Sequence, residues 1–279
     1  MAAPPPLFDP RLIALRRARA ARLGHGADFL QESAAGSVKE RLEEINRDFT
    51  DVEIIGPRAS LWADILGRGT AIRDDDVLSL EPDSADLVIH ALCLHHANDP
   101  VGQLIQARRA LRPDGLMVAC MFAGRSLQEL RAAFAEAEAA VTGGLRARVS
   151  PMADLRDLGG LVQRAGLALP VADAVDVTVT YESPMHLMRD LRAMGETNVL
   201  AQQNRGAMRR EVLAAMCDIY AQHFAADGGR IRATFEIVYL TGWAPAQTQQ
   251  RPLRPGSATT RLADALGTDE KPAGEKAGS

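Results

Sequence analysis

The chain has 279 residues, 47% of them apolar, and a net charge of −4, which suffices for one large core or two small ones and gives no reason to expect nucleic acid as a partner. Aromatics are only 4%, too few for base-stacking platforms. Cys93, Cys120 and Cys217 stand far apart with no C-x-x-C pair, which argues against a zinc ribbon or disulfide scaffold and fits a reducing, cytoplasmic compartment.

No apolar run approaches the roughly 20 residues of a membrane span, and the N-terminus lacks the apolar region of a secretory signal. Arg11 to Leu23 is helical in composition and carries Arg11, Arg16, Arg17, Arg19 and Arg22. It reads as a solvated basic helix packed on the domain, with peripheral contact to an anionic membrane as the alternative. Ser37 and Glu40 suggest a capping box for a helix over 37–49, with Val38, Leu42, Ile45 and Phe49 on one stripe. Residues 1–50 are thus an N-terminal helical segment. Val52 to Ile55 is a first strand, broken by Gly56-Pro57. A short helix over 61–66 and a Gly67-Arg68-Gly69 turn lead to a short strand over 70–73, ending on Asp74-Asp75-Asp76.

Residues 83–122 carry the clearest pattern. The apolar run Leu87 to Ile89 suits a strand covered on both faces. Asp99 caps a helix that has Pro100 at its first position, and Val101, Leu104, Ile105 and Leu111 form its buried stripe. Arg112-Pro113-Asp114-Gly115 is a turn, and Leu116 to Phe122 a second strand. Strand, crossover helix and strand make a right-handed parallel βαβ unit. Further on, a helix over 126–141 ends at Gly143-Gly144, and Ser150-Pro151 opens another that Gly166 closes. Val175, Val177, Val179 and Tyr181 alternate with polar residues as a strand does. Ser183-Pro184 starts a helix that ends at Gly195, and Val212, Leu213, Met216, Tyr220 and Phe224 line one more, so 183–225 reads as a helical insertion. Thr234 to Leu240 is a last strand. Residues 51–245 form the main domain, and 246–279 are too polar to fold and form a disordered tail. The alternation indicates an α/β sheet with helices on both faces, whose ligands sit at the carboxyl ends of the strands. The loop over 91–98 is the place for chemistry.

The segment D-L-V-I-H-A-L-C-L-H-H-A-N-D followed by L-R-P-D-G resembles the fourth and fifth strand region of class I S-adenosylmethionine (SAM) methyltransferases. The blocks M-F-A-G-R-S-L-Q-E-L-R, V-S-P-M-A-D-L-R-D-L-G-G-L-V-Q-R-A-G, L-M-R-D-L-R-A-M-G-E-T-N and Y-L-T-G-W resemble one branch, the respiratory complex I assembly factors with a methyltransferase fold and their bacterial relatives. The resemblance implies a Rossmann-like class I sheet with an antiparallel last strand. It implies SAM as cofactor and a protein substrate, with a complex I subunit as the natural candidate. The mitochondrial members are understood to hydroxylate an arginine; bacterial ones are described as methyltransferases.

The chain departs from the family in its first half. The G-x-G-x-G loop is reduced to Gly56, and Pro57 has no N–H to donate. About twenty residues separate Val52 from Asp74, where one βαβ unit takes roughly 30, so the second strand and its acid are expected to be missing. Two lost hydrogen bonds at about 1.5–3 kcal/mol each would move a micromolar cofactor toward the millimolar range. This leaves two readings: an enzyme with a weakened SAM site, or an assembly protein that has lost SAM binding. By the resemblance Gly56, Asp74, Asp75 and Leu94 contact the cofactor, and His95 and His96 are the catalytic candidates, since an imidazole titrates near neutrality. His90, His95, His96 and Asp99 also suggest a two-His-one-carboxylate iron site, but nothing in their spacing is diagnostic and no metal is assigned. Glu196, Thr197 and Asn198 either touch substrate or make a polar turn; Arg125 is a candidate contact for an acidic group. Met185, Met188 and Met194 read as helix core.

Overall fold

The computed structural model describes residues 5–24, 26–202 and 207–249, with Asp264, Gly267 and Thr268. One sheet organises the chain as far as Pro245. Its strands are β1 (Val52–Ile55), β2 (Thr70–Ile72), β3 (Ala85–His90), β4 (Leu111–Phe122), β5 (Ala168–Tyr181), the two-residue β6 (Ala225–Ala226) and β7 (Arg230–Trp243). They lie in the order β2-β1-β3-β4-β7-β5, with β6 on β7. The first four pair in parallel, and β7 runs antiparallel between β4 and β5. The α/β sheet and the antiparallel last strand are as the resemblance implied.

The period of two along the central strands builds two cores. Leu87, Ile89, Leu116, Val118, Cys120 and Phe122 face one of them. Val88, Met117, Ala119 and Met121 face the other. The first core is covered by α2 (Phe29–Glu44), α3 (Ala59–Leu66), α5 (Gln128–Thr142), α7 (Pro184–Met194) and α8 (Arg210–His223). The second is covered by α4 (Pro100–Ala110) and α6 (Leu155–Arg164). Such double coverage explains why Leu87–Ile89 of β3 and Leu116–Phe122 of β4 are apolar without interruption. The described residues up to Pro245 form one compact unit, so the N-terminal helices belong with the sheet; the disorder expected over 246–279 lies almost wholly outside the described residues.

The shortened first half has a definite form. A doubly wound sheet has two strands outside its first; here only β2 lies beyond β1 among the described residues. The surviving strand carries Asp74 directly to the end of β1.

Three local expectations are corrected. The helix expected to start at Ser37 starts at Phe29, one stripe running through Leu30, Ala34, Val38 and Leu42; Ala34 and Ala35 are strong helix formers that the capping-box reading passed over. The Ser150-Pro151 start is displaced to Asp154, whose carboxylate accepts from Arg156 N at 2.9 Å. The Arg112–Gly115 turn is absorbed into β4 as an irregularity: Ala85 pairs with Leu111 but Leu87 with Leu116, and Asp114 takes a left-handed φ of 65°.

Candidate functional site

The carboxyl ends of β1, β2 and β3 enclose a cleft of about 520 Å³. Gly56 leaves β1 with φ +153°, and a Cβ there would stand 2.9 Å from the Ala91 carbonyl oxygen. Only glycine lets the β1 turn approach the end of β3 this closely. The Asp74–Asp76 loop after β2 is pinned from α4: Gln103 donates to the Asp75 carbonyl at 2.8 Å and Gln106 to the Asp76 carbonyl at 3.0 Å. Gly56, Asp74, Asp75 and Leu94, the expected cofactor residues, all line the cleft, with His90 and His96.

The fourth wall is α1 (Pro10–Leu23), capped by Asp9. Leu12 and Ile13 pack with Phe8, Val199 and Leu200. Phe8 and Asn98 exchange hydrogen bonds of 2.9 and 3.1 Å, tying the segment to the 91–98 loop. Arg17 points inward and holds both oxygens of Asp74, at 2.8 and 2.7 Å. The sequence reading of a basic surface helix therefore covers only part of α1: one arginine closes onto the cleft's acid. His90 is fully buried. Its Nδ1 lies 3.7 Å from Cys93 Sγ, while its Nε2 has no hydrogen-bond partner among the described residues. Burial lowers its pKa to about 4.

His95 and His96 lie in one tight helical turn, Leu94–His96, following β3. Their carboxylate partner is neither Asp99 nor any residue nearby in sequence. Asp99 caps α4 through Gly102 N at 2.8 Å, and His90 faces the cleft. The partner is Glu196, which follows Gly195, the left-handed C-cap of α7 with φ 85°. Glu196 Oε2 lies 3.1 Å from His95 Nε2 and 3.6 Å from His96 Nε2. Phe122 packs on the His95 ring at 5.0 Å between centroids. Burial is the main force lowering the His96 pKa to about 3. For Glu196 burial works in the opposite direction. The two histidines, the His95 hydrogen bond and Arg17 together outweigh it and hold the carboxyl down at about 2. The result is an anionic carboxylate beside a neutral His96.

A second cavity, about 150 Å³, lies beyond His96 and is lined by Phe122, Leu130, Phe134, Met188 and Glu196. His96 lines both spaces. Thr197 and Asn198 also line this cavity, and Asn198 donates to the Ala147 carbonyl at 2.7 Å, so this stretch is at once a polar turn and a wall. Arg125 is already engaged by Asp176 and Glu236, at 2.7 and 3.1 Å, and is not available as expected. Met188 and Met194 pack against the core, whereas Met185 is 48% exposed. The grouping of Glu196 with the histidines, 101 residues apart, is the feature of the candidate site that sequence reasoning missed. Its signal was the E-T-N block, which by itself reads as substrate contact or turn.

A methyltransferase domain family matches residues 36–119. Over 242 residues the chain is 33% identical to arginine-hydroxylase NDUFAF5, mitochondrial, of Danio rerio, covering 87% of this chain and 73% of the relative. It is 35% identical over 183 residues to malonyl-[acyl-carrier protein] O-methyltransferase of Laribacter hongkongensis, covering 66% of this chain and 59% of the relative. Among solved structures, YcgJ of Bacillus subtilis aligns with a TM-score of 0.48 at 11% identity, over 77% of this chain and 99% of that one.

Proposed function

The chain belongs to the methyltransferase-fold family of the NDUFAF5 proteins, and from that premise we propose that it is an enzyme that modifies a side chain of a protein substrate, with SAM as its cofactor and complex I assembly as its setting. One observation carries the reading. The cleft and the apolar cavity share His96 as a wall, so a cofactor in one and a substrate side chain in the other meet at one imidazole.

The residues present suit an adenosine-containing cofactor. The Gly56 cradle, which a Cβ would fill, lets the backbone approach. Asp74 offers a carboxylate for the nucleoside and Leu94 an apolar contact, and His90 stands in the same wall. SAM supplies an electrophilic methyl group when bound. The protein's own part is to orient the substrate side chain against His96, which the cleft and the cavity share. The relatives' printed names, an arginine hydroxylase and an O-methyltransferase, support modification of a protein or carrier-protein substrate. No described helix is long and apolar enough to cross a membrane. Arg11, Arg19 and Arg22 are exposed on α1 beside Leu15 and Leu23, each 56% exposed, and support peripheral contact with the inner surface of a bacterial membrane.

Calorimetric titration with SAM tests the proposal. A Kd below about 100 µM, about −5.5 kcal/mol, is expected; no heat at millimolar SAM removes the SAM-dependent reading. One observation favours a second reading, a non-catalytic assembly protein: Arg17 already occupies Asp74 through two charged contacts. That reading expects no SAM heat together with co-purification of complex I subunits.

A further inference from the structure

We propose that His95, His96 and Glu196 form a binding site for a divalent first-row transition metal, at the wall between the cleft and the apolar cavity. The three side chains offer ligand atoms that all lie within 4.8 Å of one another. The two Nε2–Oε2 separations are 3.1 and 3.6 Å. A metal held at about 2.1 Å from each ligand needs neighbouring ligand atoms about 3 Å apart, a spacing that the two Nε2–Oε2 separations already approach.

The arrangement is poorly explained as hydrogen bonding alone. One carboxylate oxygen faces both imidazoles, but only the 3.1 Å contact is a hydrogen bond; 3.6 Å is too long to be one. His95 Nδ1 is buried and has no hydrogen-bond partner among the described residues. A cation on Nε2 would take the place of the hydrogen bond to Glu196, with the ring's single proton carried on Nδ1. The side chains are well shielded, with 2%, 7% and 16% exposure for His95, His96 and Glu196. Their delivery is rigid: the histidines share one turn at the end of β3, and Glu196 leaves α7 through the left-handed Gly195. Arg17 is the nearby opposing charge, and Asp74 neutralises it.

The donor set decides the class of metal. Two imidazoles and one carboxylate suit Fe(II), Co(II), Mn(II) or Zn(II) rather than Ca(II) or Mg(II), which prefer all-oxygen sites. Three protein ligands leave coordination positions open, the pattern of sites that bind water, substrate or dioxygen. Here the open positions adjoin the two spaces that His96 separates. The inference deepens the proposed function by naming the chemistry of that shared wall.

The test is titration of the metal-stripped full chain with Co(II) under argon, without SAM, followed by visible absorption. One equivalent with d–d bands and imidazole charge-transfer features is expected. E196Q, which keeps the shape of the side chain, should weaken binding at least tenfold, and H95N and H96N likewise, while each variant keeps the wild-type circular dichroism spectrum. Absence of Co(II) bands at millimolar metal overturns the site. Equal binding by the wild type, E196Q and H95N also overturns it, by locating the metal elsewhere. For a variant that does not fold, proton NMR of the wild type decides: paramagnetic shifts on the His95 and His96 ring protons support the site, and their absence refutes it. The SAM titration is run without metal, so the two experiments fail independently: a missing Co(II) band says nothing against SAM binding, and a missing SAM heat says nothing against the metal.

Discussion

His90 makes the stability of this protein depend on pH in a defined direction. It ends β3, is fully buried, lines the cleft and leaves Nε2 without a hydrogen-bond partner among the described residues. Burial lowers its pKa to about 4, whereas the unfolded chain should titrate near the free value of about 6.5. Between these limits the unfolded state binds the extra proton, so stability rises with pH across the window and falls as the solution is acidified. Above about pH 6.5 both states are neutral and the term is flat; below about pH 4 it is flat again, at its full loss. At about 1.4 kcal/mol per tenfold change, the whole window amounts to about 3.4 kcal/mol, and acidification from pH 7 to 5 to about 2 kcal/mol.

The assay is urea unfolding of the wild type and H90N at both pH values. The Asn amide can overlay Nδ1 and so keep the Cys93 contact, but it does not titrate. Other groups, His96 among them, contribute similarly in both proteins and cancel in the double difference. The loss on acidification should be smaller in H90N by about 2 kcal/mol. An equal loss in both proteins, within about 0.5 kcal/mol, would refute the claim that the folded state keeps His90 neutral.

Further outcomes follow from other contacts. R17M removes the guanidinium that competes for Asp74, whose pair is 24% and 15% exposed. At about 1 kcal/mol for a partly exposed pair, calorimetry should show SAM binding tightened about fivefold, less so at high salt. G56A places a side chain at φ +153° against the Ala91 carbonyl and should lower unfolding stability by about 1–3 kcal/mol. R148M strands Glu138, which is fully buried. Denaturant unfolding should show a loss of about 3–5 kcal/mol, and the double variant E138L/R148M should recover most of it. D99A removes the cap on α4 and should lower stability by about 1 kcal/mol in the same assay.

Some of this architecture was legible because one local rule decided it. Asp99-Pro100 fixed the start of α4, and Gly195 the end of α7. The alternation from Val175 to Tyr181 fixed part of β5. Where two local signals compete, the more conspicuous one misleads. Ser37 and Glu40 have a capping-box pattern, but Asp28 lies a full two turns earlier and the alanines between extend the helix. Ser150-Pro151 resembles a helix start, but Asp154 makes the actual cap.

The site divides along a similar line. Gly56, Asp74, Asp75 and Leu94 meet around one cleft because strand ends determine where a doubly wound fold opens its crevice, and the resemblance supplied which residues to name. The carboxylate facing His95 and His96 was not legible, because no local pattern joins residue 196 to residue 95. Asp99 was the obvious acid by proximity in sequence, but a helix start claims its carboxylate through Gly102 N. Glu196 is released for the histidines by the opposite feature: it follows a helix end, where Gly195 turns the backbone left-handed and leaves the next side chain free to reach the turn after β3. A sequence reading that asked which acidic residues follow a left-handed glycine cap, and which already cap a helix themselves, would have preferred Glu196 to Asp99 before any coordinates were at hand.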